Sequence, residues 1–221
     1  MTALDIDLIA AIVADAEHGF RVLRTTRTLS ANGTVAVAER LPGTDRYVHL
    51  DYPGPWALDQ SVEPVVHPVD EAGGDFGFGK LLARQPSITT VVHVHSPYLG
   101  AWSQTQRPMP IRYVPVQRWT LADQIPIYVD RTQSQIDFIL DRLADSPHTP
   151  AILEANGGAT VWGSNGLLRT LEYVQLIEEG AQFQILAQYL GGAKPFGPGV
   201  LEKQWKMSGL ASAAEAEGLL A

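Results

Sequence analysis

The sequence predicts one layered domain, α+β or three-layer α/β/α, around a central, mostly antiparallel sheet. Three observations point there. Short alternating or β-branched runs recur along the chain and are joined by tight turns. Amphipathic helical runs stand at the ends and between strands. One run, Val91-Val92-His93-Val94-His95-Ser96-Pro97, is as rich in β-branched residues as a buried strand should be.

In chain order, Ile6, Ile9, Ala10 and Val13 recur at helical spacing, which predicts a helix over 4–17, ended by His18-Gly19. Strands are expected at Thr34 to Arg40 and Arg46 to Asp51, with Pro42-Gly43 as the turn, and a weaker one at Glu63 to Val69. Residues 71–80 read as a glycine-rich loop, followed by a short helix from Lys80 to Gln85. After the His93/His95 strand, Pro97 suits the first turn of a helix reaching Gln104. Ile111 to Val116 and Ile127 to Val129 look like short strands, and Thr132 to Leu143 like a helix. Ala151 to Glu154 and Ala159 to Trp162 read as strands joined by Ala155-Asn156-Gly157-Gly158. The longest helix is expected over Leu167 to Leu190. One domain over 1–210 is expected, with 211–221 as an Ala/Glu-rich tail that frays or forms a last helix.

Composition bounds the function. The 221 residues suit one sizeable domain, and the formal net charge of -8 argues against nucleic acid or an anionic membrane as partner. There is no cysteine, so disulfides, thiol nucleophiles and iron–sulfur clusters are excluded. Any metal must be held by His, Asp, Glu or water. The start of the chain carries Asp5, Asp7 and Asp15 and no basic run, unlike a secretory signal. No run approaches the ~18 apolar residues of a membrane helix. A cytoplasmic protein is the expectation.

His93 and His95 are the most informative pair. Residues two apart on a strand share a face, so both imidazoles lie together while Val92 and Val94 line the other side. Two imidazoles side by side suit a divalent transition metal. The plainer reading is a pair of hydrogen-bonded core histidines.

The order of these elements resembles the class II aldolase/adducin family, and in particular its ribulose-phosphate epimerase and fuculose-phosphate aldolase branches. Ser30-Ala31-Asn32-Gly33-Thr34-Val35 is similar to a turn near the start of that family. Val91 to Ser103 resembles its His-x-His-Ser strand and following helix, and Ile152 to Gly163 its Asn-His-Gly…Trp-Gly segment. The resemblance runs from about residue 6 to residue 210. It implies a class II aldolase-like α/β fold and a small-molecule enzyme, commonly a homotetramer. It also implies a zinc or similar ion, held by three histidines, that polarises a carbonyl. An acidic residue upstream would move protons.

The chain departs from this pattern in two places. His93 and His95 carry over, but Gly157 stands where the third histidine is expected. Glu154 is then the candidate third ligand for zinc, iron or manganese. The family's acid aligns with Gly74, which makes the adjacent Asp75 the candidate acid or base, or an alternative third ligand. Two histidines and a carboxylate also suit iron(II) and oxygen chemistry. Secondly, Asp51-Tyr52-Pro53-Gly54 and Glu71-Ala72-Gly73-Gly74 stand where phosphate-binding turns are expected, and a carboxylate there repels phosphate. The expected substrate is therefore non-phosphorylated, with an apolar or aromatic part.

Asn32, Phe76, Phe78, Arg118, Trp119 and Asn156 are the candidate substrate contacts, with Arg112 a further arginine that could hold a carboxylate. His49 and His67 read as structural or surface histidines. The leading reading is a metal-dependent lyase or isomerase performing aldol cleavage, epimerisation, dehydration or decarboxylation. The alternatives are an iron-dependent oxygenase or oxidative decarboxylase, a metal-independent cyclase or dehydratase using His93 and His95 as acid–base groups, and a non-catalytic binding protein.

Overall fold

Strand alternation sorts the apolar residues onto two faces of one sheet. The computed structural model describes residues 3–57, 60–71 and 75–220. Its sheet contains β1 (Val35–Arg40), β2 (Arg46–Asp51), β3 (Val65–Pro68) and β4 (Thr90–Val94). A separate two-stranded ribbon pairs β5 (Met109–Pro110) with β6 (Gln124–Ile125). The main sheet is completed by β7 (Ile127–Tyr128), β8 (Ala151–Glu154) and β9 (Ala159–Gly163), in the order β3-β2-β1-β4-β9-β8-β7. Every neighbour in it is antiparallel except the β7–β8 pair.

Helices cover both faces. Val35, Val37, Val92, Val94 and Val161 face α1 (Ala3–Thr25) and, at the far end of the chain order, the long helix Leu167–Ala187. Ala36, Ala38, Val91, Ile152 and Trp162 face the other way. That side is covered by α2 (Phe78–Arg84), whose Leu81 and Leu82 are fully buried. Along the first face run α3 (Pro97–Ser103) and α4 (Val114–Gln117), both packed on the long helix. On the second face, α5 (Gln135–Asp145) adds Ile136, Ile139 and Leu143. The long helix is α6, and α7 (Val200–Ser208) and α8 (Ala211–Ala216) follow it. This is the expected α/β architecture. The terminal helix packs through buried Ala214 into a cluster with Leu121 and Trp205. No described helix is long and apolar enough to cross a membrane.

Two expected elements differ. The first helix does not end at His18-Gly19 but runs on to Thr25. Gly19 is instead a packing residue: a Cβ there would lie 2.2 Å from Leu171 Cδ1, so its absence lets α1 and α6 approach. The segment Ile111 to Val116 is not a strand. Pro115 occupies the first turn of α4, and its missing N–H removes a ladder donor.

Candidate active site

His93 is the last residue of β4 on the α2/α5 face, and the strands beside it decide its surroundings. It pairs with Ala36 on one side and Thr160 on the other. Glu154 ends β8 on the same face. The His93 Nδ1 lies 2.9 Å from Glu154 Oε1 and 3.2 Å from Thr160 Oγ1. Thr160 Oγ1 donates to the same Glu154 oxygen at 2.8 Å, and Gln135 Nε2 donates to it at 3.0 Å. Gln135 Nε2 also reaches Thr160 Oγ1 at 2.7 Å. A carboxylate that already collects two donors has an N–H as its natural partner on His93. The Nδ1 therefore carries the proton, and Nε2 is left as a bare acceptor. Burial pushes the Glu154 carboxyl up, but the His93 imidazole, the Thr160 hydroxyl and the nearby Arg131 charge outweigh it and hold it below its ordinary value.

His95 sits one residue beyond the strand. Its N–H still donates to Thr34 O at 3.0 Å, and its carbonyl accepts from Ser30 N at 3.0 Å. Asn32 approaches from that Ser30–Thr34 turn. Its Oδ1 accepts from Thr34 N and Thr34 Oγ1, both at 3.0 Å, which turns its NH2 toward His95 Nδ1, 3.4 Å away. His95 Nδ1 is thus an acceptor, and its ring proton stays on Nε2. Burial, then the neighbouring His93 charge, pulls the His95 pKa down against a weaker pull upward from Glu154. His95 is neutral near pH 7. The two rings meet edge to face with centroids 5.1 Å apart.

Glu178 on α6 holds the segment that follows. It accepts from Ser96 Oγ at 2.7 Å, Tyr98 N at 2.7 Å and Leu99 N at 2.8 Å. Ser96 occupies the N-cap position of α3 without capping it, because its hydroxyl is given to Glu178, and the carboxylate serves the first-turn amides instead.

Aromatic rings cover the histidines. Phe76 stacks on His93 (centroids 5.6 Å, 27°), on His49 (6.0 Å, 17°) and on Phe78 (5.4 Å, 15°). Asp75 opens the same turn, with its side chain outside the described part of the structure. Ala72, Gly73 and Gly74, expected in a phosphate-type turn, also lie outside the described residues. The structure thus brings Asn32, Phe76, Phe78, His93, His95 and Glu154 together. Asn156 lies in the β8–β9 turn with φ 58, its amide bound to Gln104 and Gln106. Arg118 and Trp119 are elsewhere. Arg118 Nε donates to Gln204 at 2.6 Å, and Trp119 stacks on Tyr173 beside a cavity of about 230 Å³ at the opposite end of β4. The residues missed by sequence reasoning are His49, Thr160, Gln135 and Glu178; Thr160 lies 67 residues from His93, and Glu178 82 residues from Ser96.

The glycines of the β8–β9 turn differ. A Cβ on Gly158 would fall 2.1 Å from Val94 O and 2.6 Å from His95 Cδ2, so no other residue fits. At Gly157 the nearest atom would be 3.4 Å away, an ordinary contact. The backbone there has room for a side chain.

The sequence profile described as "Class II Aldolase and Adducin N-terminal domain" matches residues 77–185. The chain belongs to this family. Solved structures share the fold of this class II aldolase family chain. L-fuculose-1-phosphate aldolase from Thermus thermophilus superposes with a TM-score of 0.64 at 16% identity, covering 83% of this chain and 99% of its own. An aldolase II superfamily protein from Pseudomonas syringae gives 0.66 at 15%, covering 98% and 92%. A further L-fuculose 1-phosphate aldolase gives 0.66 at 12%, covering 94% and 97%. No curated protein matches by sequence.

Class II aldolases are typically dependent on a divalent metal, and at this level the family chain is an aldolase- or epimerase-type enzyme. Its described residues do not fit the three-imidazole ion. Among them no group of three His, Asp or Glu side chains is placed to hold a metal ion. His95 carries its proton on the nitrogen away from Asn32, and Glu154 meets His93 at Nδ1, which is an orienting contact rather than a ligand's position.

Proposed function

We propose that the chain is a lyase or isomerase of class II aldolase type that moves a proton at a carbon beside a carbonyl. Its substrate is a small, non-phosphorylated hydroxy- or keto-compound. The observation that carries this reading is the pair of contacts that assign opposite tautomers: Glu154 at His93 Nδ1, which leaves Nε2 bare, and the Asn32 amide at His95 Nδ1, which keeps the proton on Nε2. The substrate proton goes to His93 Nε2. The bonding electron pair moves onto the carbonyl oxygen, whose developing charge accepts a hydrogen bond from the N–H of His95 Nε2. The imidazolium formed on His93 then faces a carboxylate that its donors keep ready as an anion. The preference for a non-phosphorylated substrate rests on Asp51, which stands exposed where a phosphate turn is expected.

Loss of the α-proton from small hydroxy- and keto-acids in D2O, followed by NMR, tests this. His93→Ala should abolish exchange. Glu154→Gln should slow it by about 10²–10⁴-fold with the circular dichroism spectrum unchanged. A His93→Ala protein that exchanges at the parent rate overturns the reading.

A second reading keeps the family's divalent ion on His93 and His95, with Glu154 or Asp75 completing the carboxylate chemistry. What favours it is family membership and the bare Nε2 of His93. It requires His95 to move its proton to Nδ1 and give up Asn32. Elemental analysis of untagged protein separates the two: one bound ion per chain and a chelator-sensitive rate support the second.

A further inference from the structure

Resting on that placement of the site, we propose that the space between His49 and His93, filled by the ring of Phe76, is the binding slot for a planar, unsaturated ring on the substrate. The ring carries a hydrogen-bond donor directed at His49. The strands make the slot. β2 brings His49 and β4 brings His93 to the same face, and between them β1 presents only Ala36 and Ala38. Two imidazoles thus stand apart over a floor of methyl groups. Phe76 lies nearly parallel to both, at 17° and 27°. This is the arrangement a conjugated ring seeks between aromatic neighbours.

Two observations mark Phe76 as a placeholder for a ligand ring rather than a core residue. It is 51% exposed, so the slot opens to solvent, and its backbone is left-handed at φ 60, a conformation a bulky side chain rarely adopts. Gly77, also left-handed at φ 72, lies against Ile136 with no room for a Cβ, so the turn that aims the ring is fixed from behind.

The independent observation is His49. Its side chain is 5% exposed and its Nε2 lies 3.1 Å from Asp51 Oδ2, which makes Nε2 the donor. Its Nδ1 is then a bare acceptor, and it is buried with no hydrogen-bond partner. Such an atom costs free energy until a donor reaches it. A hydroxyl or N–H on a ring that takes the place of Phe76 is the donor assigned to it, whereas the phenylalanine ring carries none. Asp51 and Glu154 flank the slot, so a neutral donor is favoured over an anion.

Phenol and cyclohexanol test this, because they share size and hydroxyl and differ in planarity. With the full chain, Phe76→Ala should bind phenol about tenfold tighter than the parent. Cyclohexanol should not gain. Phenol ring protons should move upfield in NMR as they enter between the two imidazoles. His49→Gln in the Phe76→Ala background should erase the gain, and Phe76→Trp should weaken phenol binding. Equal binding of both alcohols by Phe76→Ala, or phenol binding without an upfield shift, overturns the proposal. These readouts do not depend on turnover. Phenol in the slot with unimpaired proton exchange in His93→Ala would uphold the slot and sink the catalytic reading.

Discussion

At the scale of single residues, neighbouring glycines carry opposite meanings. Gly158 is compelled by the approach of Val94 and His95, so Gly158→Ala should destabilise the chain by about 1–3 kcal/mol in urea unfolding. Gly157→Ala should stay within about 0.5 kcal/mol of the parent. Equal effects would remove the distinction. The sequence alone does not separate them, since both stand in one Asn-Gly-Gly turn. It does reveal His93 and His95, because strand period and β-branching are local properties. It does not reveal the partners that set their protons. Glu154 lies 61 residues from His93 and Asn32 lies 63 from His95, and only the sheet brings them close. His49 reads as structural in the sequence because nothing in its own strand shows that Nδ1 goes unpartnered.

At the scale of elements, α6 reaches the site through one side chain. Glu178 holds Ser96, Tyr98 and Leu99, the residues immediately after His95. Its carboxyl is raised by burial, against the lowering effect of these three donors. Glu178→Ala leaves the buried Leu99 amide, the part-buried Tyr98 amide and a hydroxyl unpaired, and should cost about 1–3 kcal/mol. Amide exchange at Tyr98 and Leu99 should accelerate ahead of the sheet, and unaltered protection there would show that α3 holds itself. Helices and strands with regular periods are legible in the sequence: β1, β2, β8 and β9 lie within a residue of their expected limits. The end of α1 and the region of α4 are not. Gly19 in the one and Pro115 in the other have effects that depend on what packs against them.

For the whole molecule, stability against pH turns on a half-buried carboxylate away from the site. Glu39 on β1 accepts from Thr90 Oγ1. Burial raises its pKa from 4.5 to about 7; the Thr90 bond opposes this and the nearby Asp15 adds to it. The folded chain thus holds this proton to a higher pH than the unfolded chain. The contribution is full below about pH 4.5 and is lost as pH rises through about 7, a loss of up to about 3 kcal/mol. Glu39→Gln should flatten this part of the profile in urea unfolding between pH 4.5 and 8. A parent profile already flat there would contradict the assignment. The room at position 157 has a different kind of consequence, which concerns reversibility. A ligand that needed the backbone reshaped could not be supplied by one change, whereas position 157 has room for a side chain as it stands. Gly157→His should bind zinc at least about tenfold more tightly than the parent chain in competition with a chromogenic chelator. Unchanged affinity would place the barrier at Asn32, whose hold on His95 and not the number of imidazoles would then set how readily this chain takes a metal ion.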